Sequence, residues 1–144
     1  MKLLIGEKTM RKNEILLDTH IILWMILGDE RLSEKARKLI KENIGSIYYS
    51  IASMWEVQIK YARKKMPISG IEFMHYCEQS GYHKLPIDDL HVVELAGLER
   101  EESAPFHNDP FDRILLSQAK AEGFSFLTHD SLFRGYNEPC LVEV

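Results

Sequence analysis

The chain is short of cysteine, of basic excess and of uninterrupted apolar sequence. Its 144 residues include two cysteines, Cys77 and Cys140. They form no CxxC pair and lack zinc-site spacing, so two reduced thiols are expected rather than a disulfide scaffold or a zinc module. The most apolar stretch, "ILLDTHIILWMILG" (15 to 28), is interrupted by Asp18 and His20. It is too short to span a membrane, which takes about 20 apolar residues. "MKLLIGEK" offers too few apolar positions for an export signal, so a cytoplasmic protein is expected. Net charge is −4, without the basic excess usual in nucleic-acid binders. That argument weakens if several carboxylates bind a cation, which cancels them locally. Repeats and low-complexity linkers are missing too.

What is present alternates. "EILLD" (14 to 18) reads as a buried strand, and "THIILWMILG" as a buried helix closed by Gly28. "LSEKARKLIKEN" puts Leu32, Ala36, Leu39 and Ile40 on one helical face, with Ser33 as cap. "SIYYSIA" is a second strand. "SMWEVQIKYARKK" is a helix with Trp55, Ile59 and Ala62 at helical spacing, ended by Pro67. "SGIEFMHYCEQSG" is an amphipathic helix through Ile71, Met74 or His75, and Glu78. "YHKLPI" is a strand, and "DDLHVVELAGL" a helix opened by Asp88, with Leu90, Val93 and Leu95 as its apolar positions. A polar loop leads into "HNDPFDRILLSQAKAEG", a helix stopped at Gly123. "FSFLTHD" is a strand, "SLFRG" a helical turn and "PCLVEV" a last strand. Strands alternating with helices imply a three-layer α/β/α sandwich around a central, mainly parallel twisted sheet. Residues 14–144 are read as one domain, and residues 1–13 as an extension, either an extra strand or a disordered arm.

In open parallel sheets, sites form beyond the carboxyl ends of the strands. That rule gathers Asp18 after the first strand, Asp130 after "FSFLT", Asp112 and Asp109 at a helix start, and Glu56 one turn into a helix. Carboxylates facing one cleft repel each other and are costly to desolvate together. A divalent cation such as Mg²⁺ or Mn²⁺ resolves both problems, and such a site suits phosphodiester hydrolysis. Each residue also has a structural use. Asp18 caps the helix after it, Glu56 pairs with Lys60 at i+4, and Asp130 caps "SLFRG". "DPFD" fits an N-cap Asp109, Pro110 at N1 and an acid at N3. We read Asp109 as mostly cap and Asp112 as mostly site.

Thr19, Ser53 and Thr128 offer hydroxyls to orient water or phosphate, and equally serve as caps. Arg113 meets a phosphate or an acidic neighbour. His20 and His107 are candidate phosphate contacts with structural roles as the plainer alternative. Trp24 and Trp55 are read as core. The basic groups Lys60 with "RKK" (63 to 65), and Arg31 with the lysines and arginine of 35 to 41, are solvated faces or tracks for a nucleic-acid backbone.

Taken together, "LLDTHIILW", "SMWEVQIK", "HNDPFDRILLSQA" and "LTHDSLF" resemble the PIN-domain family, most closely VapC-type toxins of toxin–antitoxin pairs. The resemblance covers residues 14 to 143. It implies a Mg²⁺- or Mn²⁺-dependent endoribonuclease whose four acids match Asp18, Glu56, Asp112 and Asp130. Asp18 and Asp112 would hold the metal directly, and Glu56 and Asp130 directly, through water or through a second ion. Asp109 matches an accompanying acid without an assigned role. Asn108 departs from the pattern, standing where a basic residue is frequent. The resemblance further implies RNA cut to a 5′-phosphate and a 3′-hydroxyl, a homodimer, and a small antitoxin that places a basic side chain among the carboxylates. Two competitors remain: a PIN-like module that binds RNA or protein without cutting, and a phosphatase using Asp18 as nucleophile. The phosphatase lacks its usual second acid, because position 20 is histidine.

Overall fold

A computed structural model describes residues 14–144; the amino-terminal extension, 1–13, lies outside the described residues. Five strands form one sheet: β1 (Ile15–Leu17), β2 (Ile47–Ser50), β3 (His83–Leu85), β4 (Ser125–Thr128) and β5 (Leu141–Glu143). Their order is β3-β2-β1-β4-β5, and every pairing is parallel. β1 is therefore central, with β2 and β4 on its flanks. Its three residues are all buried, as a parallel strand covered on both faces must be.

Six helices cover the sheet: α1 (Thr19–Leu27), α2 (Glu34–Glu42), α3 (Ile51–Ala62), α4 (Gly70–Gln79), α5 (Asp89–Glu94) and α6 (Pro110–Glu122). Short 3-10 turns occupy Leu95–Gly97 and Ser131–Tyr136. Two apolar clusters form, one on each side of the sheet's pleat. Leu17, Ile22, Tyr49 and Phe73 belong to one, Leu16, Leu115, Phe126 and Phe133 to the other. The alternation of Leu16 and Leu17 between them is the strand's period of two. The result is the α/β/α sandwich expected from the alternating pattern.

Both cysteines are free thiols, Cys77 buried and Cys140 half-buried. Among the described residues no helix is long and apolar enough to cross a membrane. The basic residues of α2 stand on its surface, where Lys35, Arg37, Lys38 and Lys41 line an open depression.

Three helices turn differently from the expected faces. In α3, Trp55 is 56% exposed, while Ser53, Glu56 and Val57 are buried. Trp55 is thus not core; Trp24 is, at 7% exposure. In α4 the buried residues are Gly70, Phe73 and Cys77, and Ile71 faces out. In α5, Leu90 and Val93 are exposed and only His91 is buried. Tertiary partners explain that last inversion. His91 Nε2 lies 2.9 Å from Glu122 Oε2, and its Nδ1 accepts from the Asp88 backbone N–H at 3.1 Å.

Candidate active site

Strand ends and helix starts deliver the acids. The β1 backbone runs straight into Asp18, whose N–H donates to the Leu127 carbonyl of β4 at 2.9 Å. Asp18 is the N-cap of α1: Oδ1 accepts from the Thr19 backbone N–H at 2.8 Å. Oδ2 accepts from the Thr128 hydroxyl at 2.7 Å. Thr128 ends β4, and its Oγ1 accepts the Asp130 N–H at 3.0 Å. Asp130 caps the following 3-10 turn through Oδ1, which accepts from the Leu132 N–H. Asp18 and Asp130 are therefore joined through one threonine. Thr19 reaches the other way and donates its hydroxyl to Ser53 Oγ at 2.7 Å, tying α1 to the first turn of α3.

Glu56 follows on α3, 5% exposed. Its Oε2 pairs with Lys60 Nζ at 2.9 Å, the i,i+4 contact read from the sequence. The pair is not a surface one, because the glutamate side chain is buried. Oε1 is buried without a hydrogen-bond partner. A buried, unpartnered carboxylate oxygen is costly, and a ligand that supplies positive charge removes that cost.

Asp109 is the N-cap of α6: Oδ1 accepts from the Asp112 backbone N–H at 2.9 Å, with Pro110 in the first turn. Asp112 is freed by that arrangement to point elsewhere. Its Oδ2 accepts from His107 Nε2 at 3.0 Å, and His107 Nδ1 lies 2.7 Å from the Tyr136 hydroxyl. Ligand atoms of His107, Asp112 and Asp130 all lie within 4.8 Å of one another. Arg113 turns away on to Tyr136, with Nη1 3.3 Å from its hydroxyl and the guanidinium 5.8 Å from the ring centre. It makes no ion pair among the described residues.

Electrostatics mark the same place. Burial pushes the Asp18 carboxyl up to about 7, and the charges of Glu56 and Asp130 push the same way; hydrogen bonds from Thr128 and Thr19 oppose them. Burial also raises Asp112 to about 7, followed by the charge on Asp18, with the hydrogen bond from His107 opposing. Asp18 thus feels Glu56 and Asp130, and Asp112 feels Asp18. The four acids are linked through these charges, with Asp18 common to each link. Acids raised in this way are costly to ionise together, and a divalent cation reverses the cost.

The oxygen-rich donor set fits a hard divalent cation. The unpartnered oxygen of Glu56 and the two raised carboxyls fit it as well. A second acidic group, Asp88, His91 and Glu122, clusters elsewhere. There both nitrogens of His91 are spent on the α5 cap and on Glu122, so the group has a structural use. Sequence reasoning missed Tyr136 and underrated His107. The signal for His107 was its place in the loop that starts α6, five residues before Asp112.

A parallel α/β/α sandwich with buried carboxylates beyond its central strand ends defines the class of the protein. The chain belongs to the PIN domain family, whose model matches residues 15–139. Its fold is similar to a DNA-bound VapBC from Salmonella typhimurium, with a TM-score of 0.67 and 17% identity over 90% of this chain and 97% of that one. It is similar as well to VapBC2 from Rickettsia felis bound to a DNA fragment from its promoter (TM-score 0.65, 16% identity, 90% and 96% covered). A toxin–antitoxin complex from Klebsiella pneumoniae gives a TM-score of 0.60 at 17% identity, covering 91% and 100%. At these identities the likeness is one of fold. A comparison with curated proteins gave no match.

Proposed function

We propose that this PIN domain is a metal-dependent endoribonuclease of VapC type, the toxin of a toxin–antitoxin pair. One observation carries the reading: Asp18 and Asp112 are both raised to about 7 by burial, Asp18 acts on Asp112 and Glu56 acts on Asp18, and one oxygen of that glutamate is buried without a partner. Mg²⁺ or Mn²⁺ is the fitting cation, held directly by Asp18 and Asp112 and completed by Glu56 and Asp130, directly or through water. Such an ion supplies Lewis acidity to a phosphodiester and a water acidified enough to attack it.

The chain's own residues do the rest. Thr128 and the Thr19 N–H fix the two oxygens of Asp18. His107, backed by Tyr136, fixes Asp112. Lys60 holds one oxygen of Glu56 and leaves the other, buried and unpartnered, to accept a cation. This rigid frame sets donor positions before substrate arrives, which is where positioning lowers a barrier most. RNA is the substrate, cut to a 5′-phosphate and a 3′-hydroxyl. A small antitoxin inhibits the enzyme by placing a basic side chain among the carboxylates, an opposite-charge match. The protein works as a homodimer in the cytoplasm.

The test compares wild type with Asp18→Asn on single-stranded RNA, with Mn²⁺, Mg²⁺ or chelator. Metal-dependent cleavage lost in the variant supports the reading. Equal cleavage by both overturns it. So does tight RNA binding by a folded wild type that cuts under no metal, which assigns the protein to the non-cleaving class. A phosphoryl group trapped on Asp18 assigns it to the phosphatases.

A further inference from the structure

Asp18 and Asp130 also form one wall of a pocket of about 220 Å³. Its remaining lining is His20, Trp24, Arg31 and His129. Three basic side chains are thus gathered around one indole, beside an acidic cluster. The Arg31 guanidinium sits 5.1 Å from the Trp24 ring centre. His129 packs edge-on against the same ring at 5.2 Å, and His20 stands 6.0 Å away.

Arg31 and His129 are held rather than loose. Arg31 donates Nε and Nη2 to the two oxygens of Asp29, Nη2 at 2.8 Å, and its backbone N–H donates to Asp29 Oδ1 as well. That contact, led by the guanidinium hydrogen bond, holds the Asp29 carboxyl at about 2. The Nη1 group makes no bond among the described residues. His129 is fixed through Nδ1, 2.5 Å from the Val144 carbonyl, which leaves Nε2 as its other nitrogen. Trp24 is buried and the Arg31 guanidinium lies over its ring, so the pocket offers no open face for stacking a base. Donors without a stacking face suit a phosphate rather than a nucleobase.

We propose that this pocket is a subsite for the phosphate next to the one cut at the acids, with Arg31 its main donor and His20 and His129 beside it. The inference rests on the nuclease reading. It gives an acidic protein a local means of seating a polyanion: carboxylates and their cation on one wall, fixed donors on the other. The strand's register over the acids is then set by Arg31, not by contacts to a base.

The experiment measures affinity for a labelled, short single-stranded RNA by fluorescence anisotropy. All proteins carry Glu56→Gln, which lies outside the pocket, so that binding is read without cutting. Copies of the RNA each carry one methylphosphonate linkage, walked along the chain. Arg31 is exposed, so Arg31→Gln should fold normally, as circular dichroism will report. Arg31→Gln is expected to weaken binding about tenfold, the scale of a lost charge-assisted hydrogen bond. The slope of log affinity against log salt should flatten by about 0.7, one phosphate on a single strand. Neutralising one linkage should cost the Arg31 protein as much and the Arg31→Gln protein nothing further. Arg31→Lys should keep the slope. Losses that multiply at every linkage, or an unchanged salt slope, overturn the subsite. Unchanged RNA affinity with weaker binding of a polyglutamate peptide overturns it in favour of a protein partner. Cleavage by the protein with Glu56 intact is scored separately. A protein that fails to cut yet shows the Arg31 cycle loses the nuclease reading and keeps only the Arg31 phosphate contact, whereas a protein that cuts without the cycle keeps the nuclease reading and loses the subsite.

Discussion

His107 Nε2 donates to Asp112 Oδ2 at 3.0 Å, while the Tyr136 hydroxyl stands 2.7 Å from the opposite ring nitrogen. One imidazole therefore fixes the direction of a site carboxylate. Partners that orient ligands commonly change metal affinity by about 10–100-fold when removed. His107→Ala is expected to weaken Mn²⁺ binding by that order in titration calorimetry, and Tyr136→Phe by less. His107→Asn, which keeps a donor, should recover part of the loss. Equal Mn²⁺ affinity in wild type and His107→Ala would show that Asp112 needs no such support.

Asp109 and Asp112 should separate by substitution. Asp109→Ser preserves a cap acceptor, so stability should fall by less than about 1 kcal/mol and much of the cleavage should survive. Asp112→Asn should keep the melting temperature or raise it, because it removes a charge raised by burial. It should abolish cleavage. Activity that survives Asp112→Asn and vanishes in Asp109→Ser would reverse the assignment.

The raised carboxyls carry a pH signature. Asp18 and Asp112 move from 3.8 in the unfolded chain to about 7 in the fold. Between those values the folded state binds the extra protons, so their contribution is fully present below about 4 and is lost as pH rises through about 7. The chelated protein should melt at a lower temperature at pH 8 than at pH 6. Saturating Mn²⁺ should remove most of that difference, because the cation takes the place of the protons. A chelated protein more stable at pH 8 than at pH 6 would contradict this account.

The two tryptophans should respond differently to iodide. Trp55 is 56% exposed and meets Phe111 edge-on at 5.1 Å, whereas Trp24 is buried. Quenching by iodide should vanish in Trp55→Phe and persist in Trp24→Phe. Similar quenching in both single-tryptophan proteins would place Trp55 in the core after all.

Trp55 also shows where sequence reading stopped short. Its helical spacing with Ile59 and Ala62 suggested an apolar inner face. The helix instead turns Ser53 and Glu56 inward, and Trp55, next to Glu56, is carried out. The partnered burial of Asp18 was legible because a charge inside an apolar run needs a partner, and the parallel sheet was legible because β and α segments alternate, though its strand order was not. His91 was not. A histidine among Leu90, Val92 and Val93 looks like the polar face of its helix, and only the carboxylate of Glu122, 31 residues later, explains its burial. Long-range polar pairs of this kind leave no periodic trace.

The central place of β1 fixes when the chemistry can begin. Its first acid comes at position 18, and the strand that flanks it on one side ends at Thr128, two residues before Asp130. A chain emerging from the ribosome therefore carries Asp18 and Glu56 before it has a site to put them in. Asp112 and Asp130 follow later, and β4 must pair with β1 before Thr128 can seat Asp18. On the proposed activity, the ribosome building this enzyme is shielded from it until the sheet closes.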